Sequence, residues 1–168
     1  DKRVLWPLLV QQIHERWWRG LAKMVLFHDP RADYELRGDA STLAAVPQHK
    51  RLMNTGRYCG LPIGNLSSQF FANVLLNEVD QHVKHRIRAQ HYTRYVDDMV
   101  LLHESPQWLN TALDGINAFL PGLGLALNPR KTIIQPIHRG IDYVGHTIKP
   151  WRRTTRPRTL HAALNRLE

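Results

Sequence analysis

Cysteine is almost absent. Cys59 stands alone in 168 residues, so no internal disulfide forms and no cysteine cluster can build a structural zinc site. Apolar runs of about 18 residues, the length that spans a bilayer, are missing too, and no membrane helix is expected. The opening Asp1-Lys2-Arg3, followed by a segment broken by Pro7, Gln11 and Gln12, lacks the pattern of a secretory signal. The cytoplasm is therefore the expected compartment. Acidic residues are scarce: 14 Asp+Glu face 23 Lys+Arg, a formal charge of +9 with His neutral. A basic excess of this size points to a polyanionic partner, with nucleic acid the first candidate, although a solvated basic surface would look the same. Repeats and low-complexity tracts are absent, and the ten histidines form no His-x-x-x-His pair, so they read as surface or packing residues.

What is present suits a folded α+β chain. Apolar residues make up 43%, enough for a packed core in one domain or in part of a larger protein. Val4, Leu5, Leu8, Leu9 and Ile13 recur at helical spacing, and Pro7 is expected in the first turn, placing the helix start near residue 4. A second helix is expected from Glu15 to about Phe27, with Trp17, Leu21, Met24 and Val25 on its apolar face. The stretch from His28 to Gly60 is irregular. A long helix begins near Ser67, capped by Ser67 or Ser68. Its apolar residues Phe71, Val74, Leu75, Val79, Val83 and Ile87 keep one face over about five turns, and basic residues gather at its end.

Residues His91 to His103 read as a β-hairpin with Asp97-Asp98 at its turn. Leu109, Leu113, Ile116 and Leu120 form another amphipathic helix, closed by Pro121 and Gly122. Strands are expected around Lys131–Gln135 and Tyr143–Ile148. The order predicts an antiparallel sheet with helices packed on one face. The start in mid-helix without Met, and the closing Leu167-Glu168, suggest an excised piece of a longer protein.

The adjacent carboxylates carry the chemical signal. Asp97 and Asp98 repel one another, and a divalent cation resolves the conflict, since Mg²⁺ takes hard oxygen ligands from one or two carboxylates plus substrate phosphates. Two such ions stabilise the attacking and leaving oxygens of phosphoryl transfer. Asp is also a common turn residue, and from the residues alone both readings stand.

With its neighbours, the pair resembles the central signature of reverse transcriptases, Tyr95-Val96-Asp97-Asp98. The blocks Gly60 to Asn73, Leu125 to Thr132 and Gly140 to His146 are similar to that family's other segments, in its order. Most members carry Pro where this chain has Gln69. Ile63 and Gln69 make the block more similar to enzymes of bacterial diversity-generating retroelements than to group II intron or retron enzymes.

The resemblance implies the palm of an RNA-directed DNA polymerase over residues 1–150, with 151–168 starting the thumb. It implies Asp97 as direct metal ligand and Asp98 as its less direct neighbour, with Mg²⁺ as cofactor and Mn²⁺ as the alternative ion. Tyr95 and Val96 would face the primer terminus and incoming dNTP. Gly64, Ser68 and Gln69 would lie under the template base and nucleotide; Gly64 would allow close backbone approach. Lys131 would serve the pyrophosphate leaving group, by proton or by charge. Gly145 would grip the primer backbone, and Arg152, Arg153, Arg156 and Arg158 would track phosphates. The implied partners are an RNA template, a DNA or RNA primer and dNTPs.

The family's first catalytic strand, with another carboxylate, is expected just upstream of residue 1, and Asp1 is not expected to be that acid. The isolated piece should then be inactive, and its open sheet edge could pair two copies. The competing reading is a non-catalytic RNA-binding or defence module that keeps a reverse-transcriptase-like fold.

Overall fold

A computed structural model describes residues 1–32, 34–35, 37–48, 51–62 and 64–166. The expectations that rested on Ile63 and on Leu167-Glu168 lie outside these residues. The chain divides into two compact units. The first comprises Asp1–His82 with Ala118–Ala126, the second Val83–Asn117 with Leu127–Glu168.

In the first unit, α1 (Lys2–Gln12) packs against α2 (Arg16–Phe27) and α4 (Leu66–Gln81), with the short α3 (Ala40–Ala45) between α2 and α4 in sequence. The Asp1 carboxylate caps α1 by accepting the Arg3 backbone N–H at 2.8 Å. The helix thus starts at residue 2, and Pro7 lies in its interior rather than its first turn. There Pro7 removes one helical hydrogen bond, which the packing of Leu5 and Leu9, both buried, offsets.

Lys2 is buried as well. Its ammonium donates to the His28 carbonyl at 3.0 Å, tying the start of α1 to the end of α2, and burial lowers its pKa against the opposing charge of Asp29. Asp29 in turn is hydrogen-bonded by Arg31 (2.6 and 2.8 Å), which holds its carboxyl well below the usual carboxylate range. The stabilisation from that pair is present above the ordinary carboxylate pKa and fades as pH falls through the depressed one.

The core stripe of α4 is Phe71, Leu75 and Val79, one turn apart and buried. Asn65, not Ser67 or Ser68, occupies the N-cap position, and both serines fall in the first turn. After Gln81 the helix widens into a π-helical turn, His82–Arg86, that carries the expected basic residues Lys84, His85 and Arg86.

The expected apolar face of α2 is not the packed one. Trp17 and Met24 are 62% and 68% exposed, whereas Leu26 is 1% exposed and Phe27 meets the rings of Trp6 and Tyr58 edge-on. Each residue turns a helix by about 100°, so Leu26, two residues after Met24, lies about 200° round from it and the packed face is nearly opposite the expected apolar stripe.

The second unit contains β1 (His91–Tyr95) and β2 (Asp98–Leu102), most of α5 (Pro106–Phe119), then β3 (Ile141–Tyr143), β4 (His146–Lys149), β5 (Arg152–Thr155) and α6 (Pro157–Leu164). Ser105 caps α5 through its Oγ, which accepts the Trp108 N–H at 3.2 Å. Ala112 and Ile116 form the buried face of α5. The α-helix closes at Phe119, just before Pro121, which lies in a 3-10 turn, Leu120–Leu123, that stops at left-handed Gly124.

The α+β class stands, but the strands form two separate antiparallel ladders among the described residues, β1-β2 and β3-β4-β5, rather than one sheet with helices on one face. Residues 131–135 are not a strand. Asn128 folds them into a turn by accepting from the Lys131 and Thr132 N–H groups, and the Gln135 side chain donates to the Gly140 carbonyl at 2.6 Å. The expected strand over 143–148 is broken by the turn at Val144-Gly145 into β3 and β4. An unexpected strand, β5, forms from the arginine-rich segment and pairs Lys149 with Arg152.

Gly140 makes the meander possible. It is buried at φ +76°, and a Cβ there would sit 2.5 Å from Lys149 Cγ and 2.7 Å from the Ile148 carbonyl oxygen. Gly140→Ala should destabilise the chain by about 2–4 kcal/mol, from left-handed strain plus overpacking. Urea denaturation checks this, and a loss below about 0.5 kcal/mol, the level of an ordinary surface change, would show that β4 yields freely.

Candidate active site

The acidic pair sits where β1 turns into β2. Tyr95 opposes Asp98 in the ladder, leaving Val96 and Asp97 as a two-residue loop. Val96 has φ +55°, the sign that the first loop residue of a type II′ hairpin requires and one that β-branched residues seldom adopt. The Arg94 guanidinium donates to the Val96 carbonyl at 2.7 Å and braces the loop from the preceding strand. Tyr95, Val96, Asp97 and Asp98 are all exposed, and neither carboxylate has a hydrogen-bonding or ion-pairing side chain among the described residues.

This is a concentrated, unneutralised pair of hard oxygen donors held at a tip, and its chemistry fits Mg²⁺ or Mn²⁺. Among the described residues no third acid, His or Cys joins it in one cluster. Asp1 is otherwise engaged: its carboxylate caps α1 and receives the Arg3 guanidinium at 2.6 Å.

The other expected residues of the second unit fall in distinct places. Lys131 is exposed in the turn that follows Asn128. Gly145 (φ +78°) and Val144 (φ +48°) form the two-residue loop between β3 and β4, with the two positive φ values of a type I′ turn. The Gly145 carbonyl accepts the Arg156 N–H at 3.1 Å, docking this loop on the start of α6. The four arginines do not form one continuous track. Arg152 and Arg153 are exposed on β5, and Arg156 occupies the N-cap of α6 with Nη1 3.9 Å from Asp142. Arg158, on α6, borders an open pocket of about 370 Å³ with Arg156, Thr159 and Arg166.

Gly64, Ser68 and Gln69 belong to the first unit. Gly64 has φ +101°, and a Cβ there would meet nothing within 4 Å. The positive φ is a conformational reason for glycine here, and the space beside it is open to an external group. Ser68 is half-buried and Gln69 exposed in the first turns of α4. Ser68 borders a cleft of about 330 Å³ in which apolar Met24, Val25, Leu61 and Phe71 meet polar His28 and Asn65.

Sequence reasoning passed over Trp151 and Lys149. The signal was there: an aromatic between Lys149-Pro150 and Arg152-Arg153, with Pro at the first loop position.

Residues 23–148 match the family described as reverse transcriptase (RNA-dependent DNA polymerase). The match takes in both the 64–69 turn and the Asp97-Asp98 hairpin. The chain is also similar to the retron Ec86 reverse transcriptase of Escherichia coli, with 34% identity over 76 residues. That alignment covers 44% of this chain and 24% of the relative.

If the two acids are there for a ligand, they should contribute nothing to folding. Asp97→Asn and Asp98→Asn, each alone, should leave stability within about 0.5 kcal/mol of the original or slightly raise it, because each removes an exposed like-charge contact. Thermal melts check this, and a large loss from either would make the pair structural.

Proposed function

The chain belongs to the reverse transcriptase family, and from that premise we propose that it forms the palm of an RNA-directed DNA polymerase within a longer protein. The observation that carries the reading is the exposed, unneutralised Asp97-Asp98 pair on a strained hairpin tip inside the matched region. On this reading residues 1–150 are palm and 151–168 begin the thumb, with β5 paired to β4 across that division.

Asp97 holds Mg²⁺ directly and Asp98 supports it. When bound, the ions supply charge neutralisation for in-line attack of a primer hydroxyl on a dNTP. A further carboxylate of the longer protein completes the set, so this chain alone does not polymerise. Tyr95 and Val96 present an apolar platform to the primer end and the nucleotide. Gly64, Ser68 and Gln69 underlie the template base and the nucleotide; the Gln69 amide offers both a donor and an acceptor. Lys131 places an ammonium at the pyrophosphate as charge or proton donor. Gly145 and the arginines hold the primer–template backbone. The Ile63-to-Gln69 block further suggests an enzyme of the diversity-generating type, whereas the similar relative found is a retron enzyme.

In the full-length protein, Asp97→Asn should abolish dNTP incorporation on a primed RNA template with Mg²⁺ while leaving its melting temperature unchanged. Retained incorporation would remove Asp97 from the metal site. No incorporation by the unaltered protein would favour the non-catalytic RNA-binding reading.

The arginines make a separate prediction. Replacing Arg152, Arg153 and Arg158 together by Gln should reduce the slope of log K against log[salt] for RNA by about 2–3, near one per lost phosphate contact. An unchanged slope, measured by fluorescence anisotropy, would show that these side chains do not meet phosphate.

A further inference from the structure

The tip of the β4–β5 hairpin combines several locally unfavourable choices. Lys149 pairs with Arg152, so Pro150 and Trp151 form a two-residue loop. Trp151 stands at φ +63°, in the second loop position, where Gly or Asn is the easy choice and a bulky side chain is an outlier. Its side chain packs on nothing: its relative exposure is 104%. Lys149 and Arg152 are like charges directly opposite in an antiparallel pair, which is destabilising.

Arg153, one residue on, points to the other face of the ladder. All three cations are exposed and none has an ion pair among the described residues. The acid of this ladder, Asp142, lies two register rows from the tip and is engaged by Thr147 Oγ1 at 2.7 Å.

We infer that Trp151 is a nucleic-acid contact that stacks on an unpaired base, with Lys149, Arg152 and Arg153 on the flanking phosphates. The inference rests on the polymerase reading for its partner class and extends it to a residue and a mode of contact. A flat π-face beside anionic charge compensates every unfavourable choice at the tip at once. It covers the exposed indole and neutralises the like-charged pair, and it gives the strained position a purpose. A single-stranded nucleic acid has both features in every nucleotide. An anionic membrane would also attract cations and an indole, but β5 is exposed along its whole length with only Arg and Thr side chains, which leaves no apolar face to insert.

The experiment uses the full-length protein with Trp151→Ala, Trp151→Phe and Trp151→Asn, and a fluorescent single-stranded oligonucleotide with or without abasic nucleotides. Trp151→Ala and Trp151→Asn should weaken binding of the intact oligonucleotide by about tenfold, the usual effect of losing one stacked base. Trp151→Phe should retain most of the affinity. On the abasic probe all four proteins should bind alike, and the salt slope should be the same for all, since no charge is lost. Trp151→Asn should hold or raise the melting temperature, because Asn accepts positive φ more readily, so lost binding cannot be put down to misfolding.

Equal affinity of Trp151→Ala for the intact oligonucleotide overturns the inference, as does an equal loss on the abasic probe. Loss of binding to anionic vesicles with oligonucleotide binding retained transfers the residue to a membrane. Primer extension by the unaltered protein separates the two readings. Incorporation with Trp151-independent binding sinks the stacking alone, whereas Trp151-dependent binding without incorporation sinks the polymerase reading alone.

Discussion

The tight hairpin turn is the constraint on which the chemistry of this chain depends. Each pair of adjacent strands in the second unit is joined by two residues, and each joint places at least one non-glycine residue at positive φ: Val96, Val144 and Trp151. The twist of antiparallel strands selects such turns, but for L-residues each left-handed position costs about 1–2 kcal/mol. A longer loop would remove the strain and let the side chains wander. The short one fixes the direction of Asp97 and Trp151, and leaves both exposed. Strain and exposure at the same residues are what a site for an external partner requires, and a hairpin built only for stability would avoid both.

The first unit works by the opposite logic, burying nearly everything that fixes its shape. The Phe71-Leu75-Val79 stripe of α4 and the Leu5-Leu9 pair of α1 are closed to solvent, and Lys2 is buried with its ammonium on the His28 carbonyl. A buried ammonium is tolerated only with such a partner, so the start of α1 and the end of α2 are held in one arrangement. Ser68 and Gln69 therefore sit at the start of a helix whose rotation its core stripe sets, and Gly64 stands just before its N-cap, Asn65.

How much of this could be read from the sequence followed from how many physical signals agreed at each place. The long helix was legible because apolar period, polar start and basic end all pointed to residues 66–86. The Asp97-Asp98 hairpin was legible because β-rich segments flank a polar turn. The face of α2 was misread because its largest apolar residues, Trp17 and Met24, are exposed, and a hydrophobic pattern does not say which stripe finds a neighbour. The 131–135 segment looked like a strand from its β-branched residues, yet a strand exists only where a partner ladder does, and local bonds won: the Lys131 and Thr132 backbone N–H groups to the Asn128 carbonyl and the Gln135 side chain to the Gly140 carbonyl. The third strand of the meander was hidden because Arg152-Arg153-Thr154-Thr155 carries no apolar face; Gly140, which admits β4, signals a close approach only once that strand lies beside it.

Charge pairing separates the scaffold from the surface meant for a partner. In the first unit, each of the ion pairs Asp1–Arg3, Asp29–Arg31 and Glu35–Arg37 joins an acid to the arginine two residues on, so these charges are neutralised locally. At the tips of the second unit this pairing stops. Among the described residues neither Asp97 nor Asp98 has an ion pair, and neither do Lys149, Arg152 and Arg153. Exchanging a few charges between the tips would quiet both, and folding alone would favour the exchange. A partner carrying cations at one point and phosphates at another would favour the arrangement as it is: a nucleotide chain with its metal ions is such a partner.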